Sequence, residues 1–171
     1  MSDLAAKLRE AFDRSFAATP GAEEAPPVDL LAIRAGGKHY AIALADVAAL
    51  VSDKQITPLP SARQELLGVA NLSGDIVPVY GLSELLGDGG GDRPRWIAIA
   101  RHMRALAFAF EAFEGHLREP AEWIAQAQQS ARRRHISASL TGKQKRPVIS
   151  LRSLIEDIES SSQTSDAGGE K

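Results

Sequence analysis

The stretch Leu66–Leu86, LLGVANLSGDIVPVYGLSELL, is typical of a strand, a tight turn, a second strand and a short helix. We predict the turn at Ser73–Asp75, because Gly74 can adopt a positive φ. Pro78 lies in the second strand and has no backbone N–H to donate. We therefore expect that strand to lie at a sheet edge or to carry a bulge at this residue.

The same pattern recurs near the C-terminus in Ile136–Ile155, ISASLTGKQKRPVISLRSLI, with Pro147 in the place of Pro78. A second match, at nearly the same offset, places Leu31-Ala32-Ile33 on Ile97-Ala98-Ile99. Two matches in the same order predict two copies of one β-rich unit, and the many Gly and Pro turns favour two small antiparallel barrels. Each copy alone has little apolar mass, so we expect a shared buried interface, with a groove between the barrels for a partner.

Periodicity and composition divide the chain into five segments. They are an amphipathic helix at 1–19, an acidic Pro-rich linker at 20–27, a first barrel at about 28–87, a second at about 96–158, and a disordered tail at 159–171. Apolar residues recur every four positions in the first segment, as on one face of a helix. That helix either packs on the body or docks into a partner's groove.

Composition excludes several classes of protein. The 171 residues are 44% hydrophobic and 25% charged, with a formal net charge of −2, which is the balance of a globular protein. There is no cysteine, so disulfides, thiolate nucleophiles and Cys-based metal sites are excluded. No apolar run approaches the roughly 18 residues of a membrane span, and the N-terminus is charged. We therefore expect a cytoplasmic protein without direct membrane insertion.

The run Gly68–Val79, GVANLSGDIVPV, resembles the signature of the CheW-like domain family, Gly-Val-x-Asn-Leu-Arg-Gly-x-Ile-x-Pro-Val. It follows a Pro-containing loop at Leu59-Pro60, and Tyr40-Ala41-Ile42 with Val47 resembles the family's opening segment. The resemblance covers about residues 28–158. It implies a mainly β fold of two tandem five-stranded SH3-like barrels with short helices.

The resemblance also implies a function, that of a non-enzymatic adaptor in bacterial chemotaxis or an accessory chemosensory system. Its implied partners are a CheA-type histidine kinase and the cytoplasmic tip of a methyl-accepting chemoreceptor, at membrane-associated arrays. This chain departs from the family at Ser73, where Arg is usual, and at Gly81-Leu82, where Asp-Leu is usual. Loss of a charged hydrogen bond in an interface costs about 1.5–3 kcal/mol, so coupling is expected to be weaker or redirected.

The residues expected to contact partners fall in the signature and in the opening segment. They are Gly68, Val69, Asn71, Leu72, Ser73, Gly74, Ile42, Leu44 and Val47. Asn71 stands out because Asn is depleted in strands. The alternative is that these residues only build the hairpin and the core, since periodicity does not distinguish a buried face from an interface.

A basic run, Arg132–Arg134 with Lys143, Lys145 and Arg146, is expected on one hairpin. Such a run is either a solvated surface or an electrostatic contact, and a small β-barrel that binds nucleic acid through Arg132–Arg146 is the alternative function. Binders of single strands normally expose stacking aromatics, whereas this chain is only 5% aromatic, so no nucleic acid is expected.

Motifs of catalysis and of cofactor binding are absent from the sequence. There is no P-loop, G-x-S-x-G elbow, H-E-x-x-H or Rossmann fingerprint, and no spacing aligns Ser, His and Asp. The four histidines lack the spacing of a helical metal site and are expected on exposed strands or turns. The sequence thus predicts no cofactor, no metal and no enzymatic activity.

Overall fold

The computed structural model of the chain describes residues 25–128, 135–141 and 145–166. The predicted helix at 1–19 and most of the linker lie outside them. None of the described helices is both long and apolar enough to cross a membrane. The strands are β1 Val28–Ala35, β2 Lys38–Ala43, β3 Val47–Ser52, β4 Leu66–Leu72, β5 Asp75–Gly81, β6 Trp96–Ala100, β7 Ala107–Phe110, β8 Ala112–Glu119, β9 Ile136–Leu140 and β10 Arg146–Ile149. The helices are α1 Leu82–Leu85, α2 Ala121–Gln128 and α3 Leu151–Asp166, and a 3₁₀ turn spans Leu44–Asp46.

The strands form two five-stranded sheets. Sheet A has the order β8-β1-β2-β10-β9, and sheet B has the order β3-β6-β7-β5-β4. All neighbours are antiparallel except β2 with β10 and β7 with β5, which are parallel. In these orders, each strand of sheet A corresponds to the strand at the same position of sheet B, so that β1 corresponds to β6 and β2 to β7. The mainly β fold class of two five-stranded units is therefore confirmed.

The two sheets do not coincide with the predicted boundaries of the two units. Strands β1 and β2 of the first copy join β8–β10 in sheet A, whereas sheet B consists of the continuous run β3–β7. The divisions at 28–87 and 96–158 thus cut across both sheets. A repeat in the sequence identifies equivalent strands, but it carries no information on which copies of those strands pair.

The predicted alignment of the first strands is displaced by one residue. Ile42 and Phe108 are equivalent residues of the two sheets, and their antiparallel partners are Leu31 and Ala98. Leu31 therefore corresponds to Ala98 and not to Ile97. Leu31 and Ala98 both belong to the largest core cluster, whereas Ile97 faces a different one. Eleven positions separate Leu31 from Ile42, whereas ten separate Ala98 from Phe108, and this difference of one residue exchanges the two faces of the first strand in the alignment.

Pro78 lies in an interior strand, contrary to the prediction of an edge. Strand β5 has β4 on one side and β7 on the other. Pairing with β7 begins only at Val79, so the missing N–H of Pro78 falls outside that ladder. Pro147 likewise lies one residue before β10 pairs with β2. The bulge near this hairpin is on β4, between Leu66 and Gly68, rather than at Pro78.

The largest core cluster is shared between the two sheets, as the small size of each copy predicts. It combines apolar side chains from β1 and β2 of sheet A, from β5–β7 of sheet B and from α1 and α3. Burial of each large apolar side chain contributes roughly 1.5–3 kcal/mol. The fully buried members with the largest side chains are Tyr40, Phe108, Phe110, Ile33, Ile42, Leu82, Ile149, Leu151 and Leu154.

Two carboxylates from sheet B and its connections hold the β1–β2 turn of sheet A. The Asp88 carboxylate, of which only 5% is exposed, binds both the Lys38 ammonium and the Tyr40 hydroxyl. The Glu111 carboxylate accepts a hydrogen bond of 3.0 Å from the Gly37 N–H. Buried charged hydrogen bonds of this kind fix geometry, because a lost partner leaves a carboxylate desolvated. The orientation of one sheet on the other is therefore set by polar contacts as well as by the core.

Helix α3 continues to Asp166, where the composition predicts a disordered tail from residue 159. Its serine hydroxyls, at 160, 161 and 162, donate to carbonyls four residues earlier, at 2.7, 2.6 and 2.7 Å. These bonds satisfy the serine hydroxyls within the helix. The serines directly follow the helical turn in which Ile158 is buried. The remaining residues of the predicted tail, 167–171, lie outside the described residues.

We expect Gly68→Ala to destabilise the protein by about 2 kcal/mol or more. Gly68 has φ +145°, and a Cβ there would lie 2.0 Å from the Thr57 carbonyl oxygen. The clash would break the two hydrogen bonds, of 2.8 and 2.9 Å, by which Thr57 pairs with Val69. Urea unfolding monitored by circular dichroism measures the change.

Gly115→Ala is the matched control for this substitution. Gly115 also lies in a strand at positive φ, +151°, but nothing lies within 4 Å of the Cβ position. Gly115→Ala should lower the free energy of unfolding by only about 1 kcal/mol, because it introduces backbone strain but no clash. Equal losses in the two variants would show that the contact with Thr57 contributes nothing.

Candidate functional site

The tip of the β4–β5 hairpin is a two-residue turn formed by Ser73 and Gly74. Their φ angles of 56° and 95° are those of a type I′ turn, which suits the twist of a hairpin. The Gly74 N–H donates to the Asn71 side-chain oxygen at 3.2 Å. Asn71 thus helps to build the turn, which accounts for Asn in a strand. Asn71, Ser73 and Gly74 are all exposed, so a partner can reach this corner.

Ile76 is the residue of this hairpin that sequence reasoning missed. It pairs across the strands with Asn71, and 75% of its surface is exposed. Its neighbours Val77 and Val79 face the core. Period-two alternation could have shown that Ile76 lies on the face opposite Val77, but it could not have shown that this face is open at Ile76 and buried at Tyr80.

The nine predicted partner residues differ in burial, and they divide into exposed, half-buried and buried members. Side-chain alternation along β4 places Leu72 inward while Asn71 and Ser73 point outward. The buried residues belong to the core and offer no surface, so their predicted contact with a partner is not supported by their position. The exposed members are Leu44, Asn71, Ser73 and Gly74; Val69 is half-buried; and Gly68, Leu72, Ile42 and Val47 are buried.

Three exposed apolar side chains, Leu44, Ile76 and Met103, lie at one end of sheet B. Strands β5 and β7 are parallel, so Ile76 near the start of β5 and Met103 just before β7 share this end. Leu44 precedes β3, whose first residue Val47 pairs with Ala100 at the end of β6, again at this end. Leu44 is 39% exposed and Met103 is fully exposed. We refer to Leu44, Ile76 and Met103 as the apolar end of sheet B.

At the corresponding end of sheet A, the β1–β2 turn is held by contacts with other parts of the chain. The β1–β2 turn there is the counterpart of the β6–β7 connection, and Asp88 and Glu111 hold it. At the apolar end of sheet B, by contrast, Met103 and Ile76 remain open to solvent. Exposed apolar residues that are grouped together are typical of interaction sites.

A groove of about 1010 Å³ separates the two sheets, where the sequence analysis expects one. Lys38 and α3 line the side of sheet A, and Arg63, Tyr80 and α1 line the side of sheet B. The Arg63 guanidinium crosses the groove to donate to the Ile158 carbonyl at 3.4 Å. Burial raises the pKa of the Tyr80 hydroxyl above its ordinary value; Arg63 opposes this rise and Glu65 adds to it. The groove therefore presents both charged and apolar groups to a partner.

A family model for the CheW-like domain matches residues 29–159. The chain belongs to the CheW-like domain family. A solved structure with the same fold is the crystal structure of the scaffolding protein TtCheW from Thermoanaerobacter tengcongensis, with a TM-score of 0.65 and 21% identity over 76% of this chain and 93% of that chain. No curated protein matches the chain. The family match includes all ten strands and the part of α3 that packs on the core.

This CheW-like domain aligns a serine, a histidine and an aspartate that the sequence analysis did not connect. The His135 ring lies with Nδ1 2.9 Å from the Ser153 hydroxyl and Nε2 3.1 Å from the Asp157 carboxylate. His135 is buried, contrary to the prediction of an exposed histidine. Ser153 and Asp157 are four residues apart on α3 and so lie on one face, which was the available signal. His135 lies before β9, far from α3 in the sequence, and spacing alone does not indicate that its ring packs against this helix.

The basic run of the domain does not form a single exposed patch. Arg132–Arg134 and Lys143 lie outside the described residues, and Lys145 is exposed. Arg146 is buried, and its guanidinium binds the Glu114 carboxylate at 2.6 Å. Since Arg146 serves an internal ion pair, the described part of the run gives no support to nucleic-acid binding.

We expect Glu114→Gln to destabilise the domain at neutral pH by about 1 kcal/mol and to have a smaller effect near pH 3. Burial alone would raise the pKa of Glu114, but hydrogen bonds and charges from Arg146 and His39 lower it below its ordinary value. A carboxyl with a lowered pKa stabilises the fold above its unfolded pKa, and this contribution is lost as pH falls through the folded pKa. Denaturant titrations at neutral pH and near pH 3 measure the contribution of Glu114 to the free energy of unfolding.

Glu156→Gln, at an exposed carboxylate of α3, is the control. A loss at Glu114 that is the same at both pH values would contradict the assignment.

Proposed function

We propose that this domain is an adaptor that links the cytoplasmic tips of chemoreceptors to a CheA-type histidine kinase in the cytoplasm of a bacterium. Its membership in the CheW-like family and its likeness in fold to a scaffolding protein support the proposal. An adaptor needs two separate surfaces, one for each partner. The proposal is for a binding protein rather than an enzyme, since binding surfaces and not a reactive group support it.

The observation that carries the proposal is the apolar end of sheet B. Ile76, 75% exposed, lies beside the rigid Asn71–Gly74 corner, and Met103 and Leu44 are at the same end. Apolar side chains on a rigid turn lose little entropy when they are buried, which is typical of the centre of an interface. We assign this end to the kinase, whose regulatory barrel would bury it.

The groove between the sheets is assigned to the receptor tip. It is open and separate from the apolar end, and it presents the half-buried side chains of Leu85 and Leu86 beside Arg63 and Asp157. A groove with this mixture suits a helix, which inserts an apolar face and pairs its flanking charges. Two surfaces on different elements allow both partners to bind at once.

The test of the proposal is direct binding. The full chain is titrated, by calorimetry, with the purified CheA-type kinases and receptor cytoplasmic regions of the same organism, separately and together. We expect a kinase and a receptor that bind singly and that form a ternary complex. If no kinase and no receptor binds, the adaptor function is wrong. If the two compete, the assignment of separate surfaces is wrong.

We expect Ile76→Glu to weaken kinase binding by tenfold or more without loss of stability, because an exposed charge would be buried at the centre of the interface. Receptor binding should not change. Leu59→Glu is the matched control, since Leu59 is 44% exposed but lies in the segment before β4, away from this end. Equal effects of the two variants on kinase affinity would place the contact elsewhere.

We expect Ser73→Arg to tighten binding to a kinase or receptor by about tenfold, because it restores the charged donor that the family usually has at this turn. Ser73 is exposed with φ 56°, a conformation in which the side chain points into solvent. Ser73→Gln is the control of similar length without the charge. If arginine and glutamine have the same effect, the charge is not what this turn lacks.

A further inference from the structure

His135 is attached to the start of α3 through its main chain and both ring nitrogens. The Ser150 N–H donates to the His135 carbonyl at 2.8 Å, and the ring lies between Ser153 and Asp157 at 2.9 and 3.1 Å. The Ser150 hydroxyl in turn accepts from the Ser153 N–H at 3.2 Å and caps the helix. One residue thus holds the first two turns of α3. His135 has φ 66°, an uncommon conformation that these contacts maintain.

The chemistry of the two neighbours decides what a proton does at His135. A carboxylate only accepts, so Nε2 donates its proton to Asp157, and in the neutral ring Nδ1 accepts from the Ser153 hydroxyl. When the ring binds a second proton, the hydroxyl can rotate and accept from Nδ1–H instead. Both N–H groups of the charged ring are then satisfied, and an ion pair with Asp157 replaces a neutral hydrogen bond.

Burial opposes the charged ring, because only 6% of the His135 side chain is exposed. Carboxylates in the adjoining groove favour it. Of the cations there, Lys38 is bound to Asp88 and Arg63 donates to a backbone carbonyl. Besides Asp157, the titratable and charged groups that line the groove with His135 are Lys38, Arg63, Glu65, Tyr80, Glu84 and Asp88.

We infer that His135 is a proton-dependent latch that fixes α3 as one wall of the groove. Proton binding strengthens the attachment of Asp157, and with it the position of Ile158 and Ser161, which line the same wall. The latch is tighter at low pH and loosens as pH rises, because the additional ion pair exists only in the protonated state. The effect on α3 stands alone, whereas its effect on a partner in the groove rests on the proposed function.

Hydrogen exchange of the full chain tests the latch without any partner. The amides of residues 151–158 are followed at about pH 8 and about pH 6, with exchange rates corrected for their intrinsic pH dependence. We expect two- to fivefold more protection at the lower pH, about the range of a single ion pair. His135→Gln should abolish this difference. Unchanged pH dependence in that variant would overturn the proposal.

His116→Gln is the matched control, because His116 also pairs with a carboxylate, Asp29 at 2.9 Å, but lies exposed on sheet A. It should leave the pH dependence of 151–158 intact. Asp157→Asn keeps the histidine and removes only the charge, so it should also abolish the difference, even where His135→Gln folds poorly. If Asp157→Asn retains it, the latch is overturned.

Titration of the receptor region at the two pH values completes the test. We expect tighter binding at the lower pH in the wild-type chain and no such gain in Asp157→Asn. Equal gains in both would overturn the link from the latch to the groove. If no receptor binds at all, the proposed function fails while the exchange result decides the latch by itself.

Discussion

The structure depends on the packing of two sheets that cannot bury their apolar faces separately. Ile42 of sheet A and Phe108 of sheet B are equivalent residues of the repeat, and both are fully buried in one common cluster. Sheet B is a continuous run of the chain, whereas sheet A combines strands from its two ends. Sheet A therefore forms only when the two ends meet, and the shared core supplies most of the free energy for that meeting.

The two sheets have the same topology, but the equivalent connections β1–β2 and β6–β7 differ in their contacts. In sheet A, the β1–β2 turn is held by Asp88 and Glu111, which belong to connections of sheet B. In sheet B, six residues separate β6 from β7, and Met103 among them is fully exposed. The two equivalent connections therefore differ in their surroundings, because contacts with other connections hold the first and solvent surrounds Met103 in the second.

Much of the fold can be predicted from local sequence. The features that cannot be predicted in this way depend on contacts between residues far apart in the chain. Ser73-Gly74 predicts its turn from conformational preference, and the prolines mark equivalent strands of the repeat. Periodicity gives the two faces of a strand but not its neighbour, so the pairing of β1–β2 with β8–β10 was missed. For the same reason, periodicity predicts neither that Ile76 is exposed nor that His135 is buried. Both depend on contacts across many residues of chain, where propensity carries no information.

The groove and the apolar end share the same rigid frame, and this bears on how an adaptor acts. Asp88 lines the groove and also binds Lys38 and Tyr40 of sheet A, and its N–H donates to the Ser83 carbonyl of α1. Arg63 and Ile158 join the sheets again across the groove. Packed cores and buried ion pairs deform little, so two partners bound to such a frame are held at a fixed relative orientation. Because His135 secures one wall of the groove through α3, a change at that residue alters the wall without disturbing the frame on which the other partner would sit.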